Sequence, residues 1–186
     1  MKHLALAALA FVAASAVSHA QTFGAPTLGG TACRSGATAS ITGGILNPTV
    51  VIDGFVAETT PPAGMMARAI CTIAVPVEVP EGRSIAVVGA GYRLNASIAA
   101  GTTAAVSLEA FLAGQQAPPL TRTIAGPRSG AFVSAAAVPL ADRQWSACGT
   151  DVIVRMNASV LLTVGTPTAS TVNVGQLRIR LASRAC

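Results

Sequence analysis

Histidine and lysine are missing from almost the whole chain: His3, His19 and Lys2 are the only ones it has, and all three fall within the first twenty residues. Histidine is the usual general base near neutral pH and a common zinc and copper ligand. A protein that keeps only the residues after Ala20 therefore cannot build a Ser-His-Asp or Cys-His hydrolase centre, nor a histidine metal site. Aromatics are 4% of the residues, with a single Trp and a single Tyr. That is too few for the stacked platforms that hold single-stranded nucleic acid, so no nucleic-acid partner is expected. Neither a cofactor nor a metal is expected.

The first twenty residues, "MKHLALAALAFVAASAVSHA", have a short basic start, an apolar run from Leu4 to Val17, and the small residues Ser18 and Ala20 before Gln21. This is the pattern of a secretory signal peptide cut after Ala20. The apolar run is shorter than the ~20 residues a bilayer span needs, and no later segment has eighteen uninterrupted apolar residues, so the mature chain is expected to have no membrane span. Residues 21–186 are expected to be secreted or periplasmic. They number 186 − 20 = 166, which suits one domain with a real core. Eleven arginines face seven acids there, a balance of 11 − 7 = +4, slightly concentrated in the tail "LRIRLASR". Read as an even scatter, these charges form a solvated surface; an anionic partner such as a glycan or lipopolysaccharide is the competing reading.

Four cysteines remain: Cys33, Cys71, Cys148 and Cys186. An even number in an exported chain reads as two disulfides. Three connectivities are open. The segments after Cys148 and before Cys186 look like arms of a hairpin turning near residue 167, which favours Cys148 with Cys186 and Cys33 with Cys71. The stretch "RQWSACG", residues 143–149, raises the question of an active site. A reactive Cys148 thiolate needs a base or a cationic partner, and no histidine is present. The stretch therefore reads as a staple, with Trp145 packed over the bridge.

Alternation with period two dominates the rest. "DVIVRMNASVLLTV" places Val152, Val154, Met156, Ala158, Val160, Leu162 and Val164 on one face, and "CTIAVPVEV" does the same for Cys71, Ile73, Val75, Val77 and Val79. Pro76 points to an edge position or a bulge. Further strands are expected at 37–42, 49–57, 84–98, 103–113, 119–125, 131–139 and 172–182, with a bulge at Gly175-Gln176. "AGMMARAI" is the one stretch read as a turn of helix. The expectation is an all-β fold: one antiparallel β-sandwich of about nine strands, jelly-roll or immunoglobulin-like, spanning 32–186, after an N-terminal arm at 21–31.

The landmarks "GGTAC", "VVIDGFVAE", "ARAIC", "GAGYRLNASIAAGTTAAVSLEAFLAG", "GP" and "WSACG" occur in an order that resembles the secreted family catalogued as domain of unknown function 4360. The likeness falls on Gly30, Cys33, Asp53, Phe55, Arg68, Cys71, Gly91, Tyr92, Gly126, Pro127, Trp145, Ser146, Cys148, Gly149 and Asn157. The chain has Gly89-Ala90 where the family usually has Tyr-Arg, and Ala69-Ile70 where it usually has Lys-Asn. The resemblance implies a secreted, cysteine-bearing β domain and supplies no activity.

Four residues are binding candidates. Asp53 and Arg68 read as a ligand-gripping pair or a structural ion pair, and Tyr92 and Trp145 as a sugar-stacking surface or as core packing. No catalytic residue is assigned. Glu78 and Glu81, the closest acids, sit in what reads as an exposed turn rather than facing across a cleft. Asn95 and Asn157 open glycosylation-type triplets that matter only in a eukaryotic secretory pathway. Two functions survive: a non-catalytic module binding a glycan or another envelope or extracellular component, and a histidine-independent hydrolase acting on an extracellular polymer.

Overall fold

Each long alternating segment becomes a strand with one buried face. The computed structural model describes residues 21–33, 36–60, 66–165 and 168–186; the expected signal peptide lies outside the described residues. Twelve strands follow in order: β1 (Thr22–Phe23), β2 (Thr27–Gly29), β3 (Thr38–Gly44), β4 (Asn47–Asp53), β5 (Val56–Thr59), β6 (Met66–Glu78), β7 (Arg83–Ile98), β8 (Thr102–Leu112), β9 (Leu120–Ala125), β10 (Arg128–Ala137), β11 (Val152–Val164) and β12 (Ser170–Ala185). The only helical piece among the described residues is a 3-10 turn at Leu140–Asp142. No helix among them is long and apolar enough to cross a membrane.

The strands form two antiparallel sheets. The first has the order β1-β6-β11-β8-β9, with β2 also on β6; the second has the order β10-β7-β12-β4-β3, with β5 also on β12. Between β5 and β12 every connection except the β8–β9 hairpin passes from one sheet to the other. The resulting orders, β6-β11-β8-β9 against β4-β12-β7-β10, are jelly-roll connectivity. The inner faces meet in one core. Ile73, Val75, Met156, Val160 and Leu162 come from the first sheet, and Val50, Ile85, Leu94, Val172 and Leu177 from the second. Each such burial contributes about 1.5–3 kcal/mol, so the sandwich rests mainly on its core.

Several sequence expectations need correcting. The hairpin between Cys148 and Cys186 does not exist: β11 pairs with β6 and β8, and β12 with β7, β4 and β5. The two strands lie in opposite sheets, and the connection between them crosses the sandwich; residues 166–167 lie outside the described residues. The strand expected at 49–57 is broken by Gly54, whose φ of +90° suits glycine, into β4 and β5. Within 21–31, read as a mobile or edge-hugging arm, the short strands β1 and β2 both pair with β6 along the sheet edge. Of "AGMMARAI", Met66–Ile70 belong to β6, and 63–65 lie outside the described residues. The added short strands raise nine to twelve.

Pro76 is accommodated by this layout. Its carbonyl accepts the Gly24 N–H at 2.9 Å, so its missing N–H faces the gap between β1 and β2 rather than β11. A proline is tolerated where no ladder donor is needed. Gly175 is the extra residue where the β12–β7 register shifts between Val174 and Gln176. Gly126 is held closer still: a Cβ there would lie 1.9 Å from the Ala99 carbonyl oxygen and 2.9 Å from that of Ile98. Both obstacles are backbone, so Gly126→Ala is expected to cost about 3 kcal/mol, the upper end for overpacking. Urea unfolding checks this, and an unchanged midpoint would contradict it.

Candidate functional site

The segment 143–149 is zipped onto the start of β7. Trp145 makes a bridge with Ala86. Ser146 donates its N–H to the Ile85 carbonyl at 2.8 Å, accepts the Ile85 N–H on Oγ at 3.0 Å, and accepts the Ser84 hydroxyl on its carbonyl at 2.7 Å. The Gly149 N–H reaches the Arg83 carbonyl, and the Cys186 N–H the Gly82 carbonyl. Cys148 is bonded to Cys186, and Cys33 to Cys71. Ser146 thus spends its polar groups on residues 84 and 85 at the start of β7, and Cys148 has no thiol. The segment is a staple.

Asp53 and Arg68 are not a pair. Asp53 follows buried Ile52 on β4 and points outward from the second sheet, while Arg68 precedes buried Ala69 on β6 and points outward from the first. Tyr92 and Trp145 share no surface either. Tyr92 is 1% exposed, in the core, and presents no ring face to solvent. Trp145 is half-buried outside, and the group stacked on it is the Arg184 guanidinium, 4.1 Å from the ring centroid. Of the two neighbouring acids, Glu78 accepts a hydrogen bond from the Thr22 hydroxyl, and Glu81 sits in the exposed turn before β7. Asn157 donates to the Glu109 carboxylate at 3.4 Å.

The Tyr92 hydroxyl is buried without a hydrogen bond. Burial pushes its pKa up from 10.0, and the nearby Ser134 hydroxyl and Arg122 charge oppose that only in part. A raised phenol pKa contributes stability that is intact below about pH 10, the unfolded value, and is lost as pH rises toward the folded one. Tyr92 is the chain's only tyrosine, so phenolate absorbance reports this residue alone. It is expected to appear above pH 10 together with unfolding. Tyr92→Phe, which removes an unpartnered hydroxyl, is expected to keep or raise stability at neutral pH and to extend it to higher pH. Ordinary titration of the folded protein at pH 10 would contradict this.

The outer face of the second sheet has a different character. In β12 the residues Leu177, Ile179 and Leu181 are buried, so the alternate positions Arg178 and Arg180 project outward and are exposed. Arg184 continues the same face. Beside Arg178 and Arg180, β7 offers Gly91 and Gly89, and beyond them β10 offers Ala135 and Ala137. Two successive rows of the sheet therefore carry no side chain larger than a methyl, next to two arginines. On the other side of β12 stand Asn47 and Thr49 of β4.

The result is a groove of about 520 Å³ lined by Asn47, Thr49, Gly91, Ala135–Ala137, Arg178 and Arg180. Arg180 lies low across its floor: a Cβ on Gly89 would fall 2.6 Å from Arg180 Nε. Among the described residues no carboxylate lines the groove. Arg93 with Gln176, and then Asn95 with Asn173, extend the polar surface along the face. Among the described residues, a second cleft, bounded by 26–30, Cys33, Gly36, Ala37 and Ala39, has no charged lining, and a third, near Gln116 and Gln144, has only Asp142. Among the described residues no cluster of three or more His, Cys, Asp or Glu could hold a metal.

The sequence shows arginines slightly concentrated in the tail and allows an arginine-bearing face as a contact surface, but it does not single out Arg178 and Arg180. The signal was in "LRIRLASR": the alternation that buries Leu177, Ile179 and Leu181 commits Arg178 and Arg180 to one outer face. The glycine floor could not be seen, because it depends on which strand lies beside β12.

A family model described as Domain of unknown function (DUF4360) matches residues 24–185. No curated protein matches the chain. Among solved structures, one of TmCBM61 in complex with beta-1,4-galactotriose is similar at 9% identity over 87% of this chain and 88% of that one, with a TM-score of 0.28. At that score the likeness carries no argument.

Proposed function

The chain belongs to the DUF4360 family, and we propose that it is an exported, non-catalytic binding protein whose groove-bearing sheet face holds an anionic glycan of the envelope or extracellular space. The observation that carries this reading is the pair of exposed arginines over a glycine-and-alanine trough with no acid in its lining. A guanidinium matches a carboxylate with two parallel hydrogen bonds and keeps its charge at any physiological pH. Asn47, Thr49 and, further along, Asn95 and Asn173 supply groups suited to sugar hydroxyls. The absence of an exposed aromatic platform on the groove disfavours a neutral glycan, whose pyranose faces need rings to stack on. A carboxylate-bearing polymer, such as a polyuronate, fits this lining best.

A hydrolase acting on the same polymer would need two carboxyls across a cleft, and the groove lining supplies none. The test is binding of the purified protein to polygalacturonate, alginate and uncharged dextran by calorimetry at low and physiological salt. Binding to the polyuronates that weakens as salt rises is expected. Equal binding to dextran, or none to any polyanion, would overturn the proposal, and release of shortened chains would restore the hydrolase.

A further inference from the structure

The residue that processing after Ala20 would expose as the new N-terminus is Gln21, and its setting is unusual for a chain end. Gln21 is only 7% exposed. Both polar atoms of its carboxamide, Nε2 and Oε1, are buried without a hydrogen-bond partner. The residues after it are held in place: Thr22 and Phe23 pair with Glu78 and Val77, and the Gly24 N–H bonds the Pro76 carbonyl. The end cannot swing into water without undoing β1.

Cleavage at that bond creates an α-amino group, which is largely ammonium at neutral pH. That charge forms next to a carboxamide which, with residues 1–20 still attached, is buried without a partner, and keeping either group out of water costs free energy. The nearest carboxylate along the strand pair, Glu78, already accepts the Thr22 hydroxyl.

From this we infer that Gln21 is a modification site and that the mature protein begins with its cyclised, pyroglutamyl form; the inference rests on the export reading above. In the reaction the neutral α-nitrogen attacks Cδ of the side-chain carboxamide. The N–Cδ bond forms and the Cδ–Nε2 bond breaks. The proton lost by the α-nitrogen goes to the departing amide nitrogen, which leaves as ammonia. Nothing is oxidised or reduced, and no co-reactant is consumed. The lactam carries no charge and replaces the carboxamide's NH2 and the ammonium with one ring N–H.

The experiment uses the full chain exported by a bacterial host. The protein is harvested and immediately treated with an amine-labelling reagent, and its N-terminal peptide is read by tandem mass spectrometry. The expected peptide starts at residue 21, is lighter by one ammonia, and carries no label on its α-nitrogen. Pyroglutamyl peptidase is expected to remove the residue only after reduction and unfolding. A peptide starting at Gln21 with a labelled free amine overturns the cyclisation and leaves the cleavage standing. A peptide with another first residue overturns both the cleavage site and the lactam. Removal of the residue from the folded protein as fast as from the unfolded one overturns the burial on which the inference stands.

Discussion

Cys33→Ser/Cys71→Ser is expected to destabilise the protein more than Cys148→Ser/Cys186→Ser, although both bridges span the same sequence separation of 38. Equal spans give equal chain-entropy losses, about 4 kcal/mol for a loop of this length. The difference lies in what each replacement leaves behind. Cys33 and Cys71 are 2% and 0% exposed, so each serine there places a hydroxyl in the core, at about 1–3 kcal/mol apiece when unpartnered. Cys148 and Cys186 are exposed, and their neighbours stay tied to β7 through Ser146 and to the preceding turn through the Cys186 N–H. A domain with a net stability of about 5–15 kcal/mol survives the second change and stands near its limit after the first. Denaturant midpoints at constant slope measure both. If the two pairs lose the same amount, core burial of the first bridge is not what distinguishes them. The alanine versions, which carry no hydroxyl, should narrow the gap.

What could be read beforehand followed from local periodicity. In β11 the alternation of Val154, Met156, Val160 and Leu162 is enough to name the buried face, since a strand's inner face depends only on its own residues. The same alternation says nothing about partners. Two alternating segments joined by a short connection look alike whether they fold back beside each other or arch across a sandwich. The 148–186 hairpin expectation fails for that reason, while the sandwich class is legible. Gly54 shows a smaller limit: a single positive-φ residue ends β4, and nothing in "VVIDGFVAE" separates it from a glycine tolerated within a strand. The binding candidates split along the same line. Tyr92 and Trp145 are candidates for their rings, but β7 turns one inward, and Arg184 covers a face of the other. Arg178 and Arg180 were visible as residues, and their groove exists only because β7 and β10 bring Gly89, Gly91, Ala135 and Ala137 alongside.

Arg178→Ala/Arg180→Ala is expected to weaken polyuronate binding at least a hundredfold while leaving the fold intact. A charge-assisted hydrogen bond contributes about 1.5–3 kcal/mol, so two arginines contribute about 3–6 kcal/mol, and each 1.4 kcal/mol is a factor of ten. Both side chains are exposed, so their loss should shift stability by no more than about 0.5 kcal/mol. The lysine pair separates the two ways a cation can act. Lysine keeps the charge but not the planar fork, so a site that reads only charge keeps its affinity with lysine, whereas a site that clamps carboxylates loses much of it. The pH profile identifies the anion. Binding to a carboxylate polymer should fall as pH drops through about 4, the range in which carboxyl groups protonate. Binding to a sulfated polymer should persist below that. Wild-type affinity in the double alanine variant would remove the groove as the binding face and shift attention to the outer face of the first sheet, where Arg68 and Arg155 project.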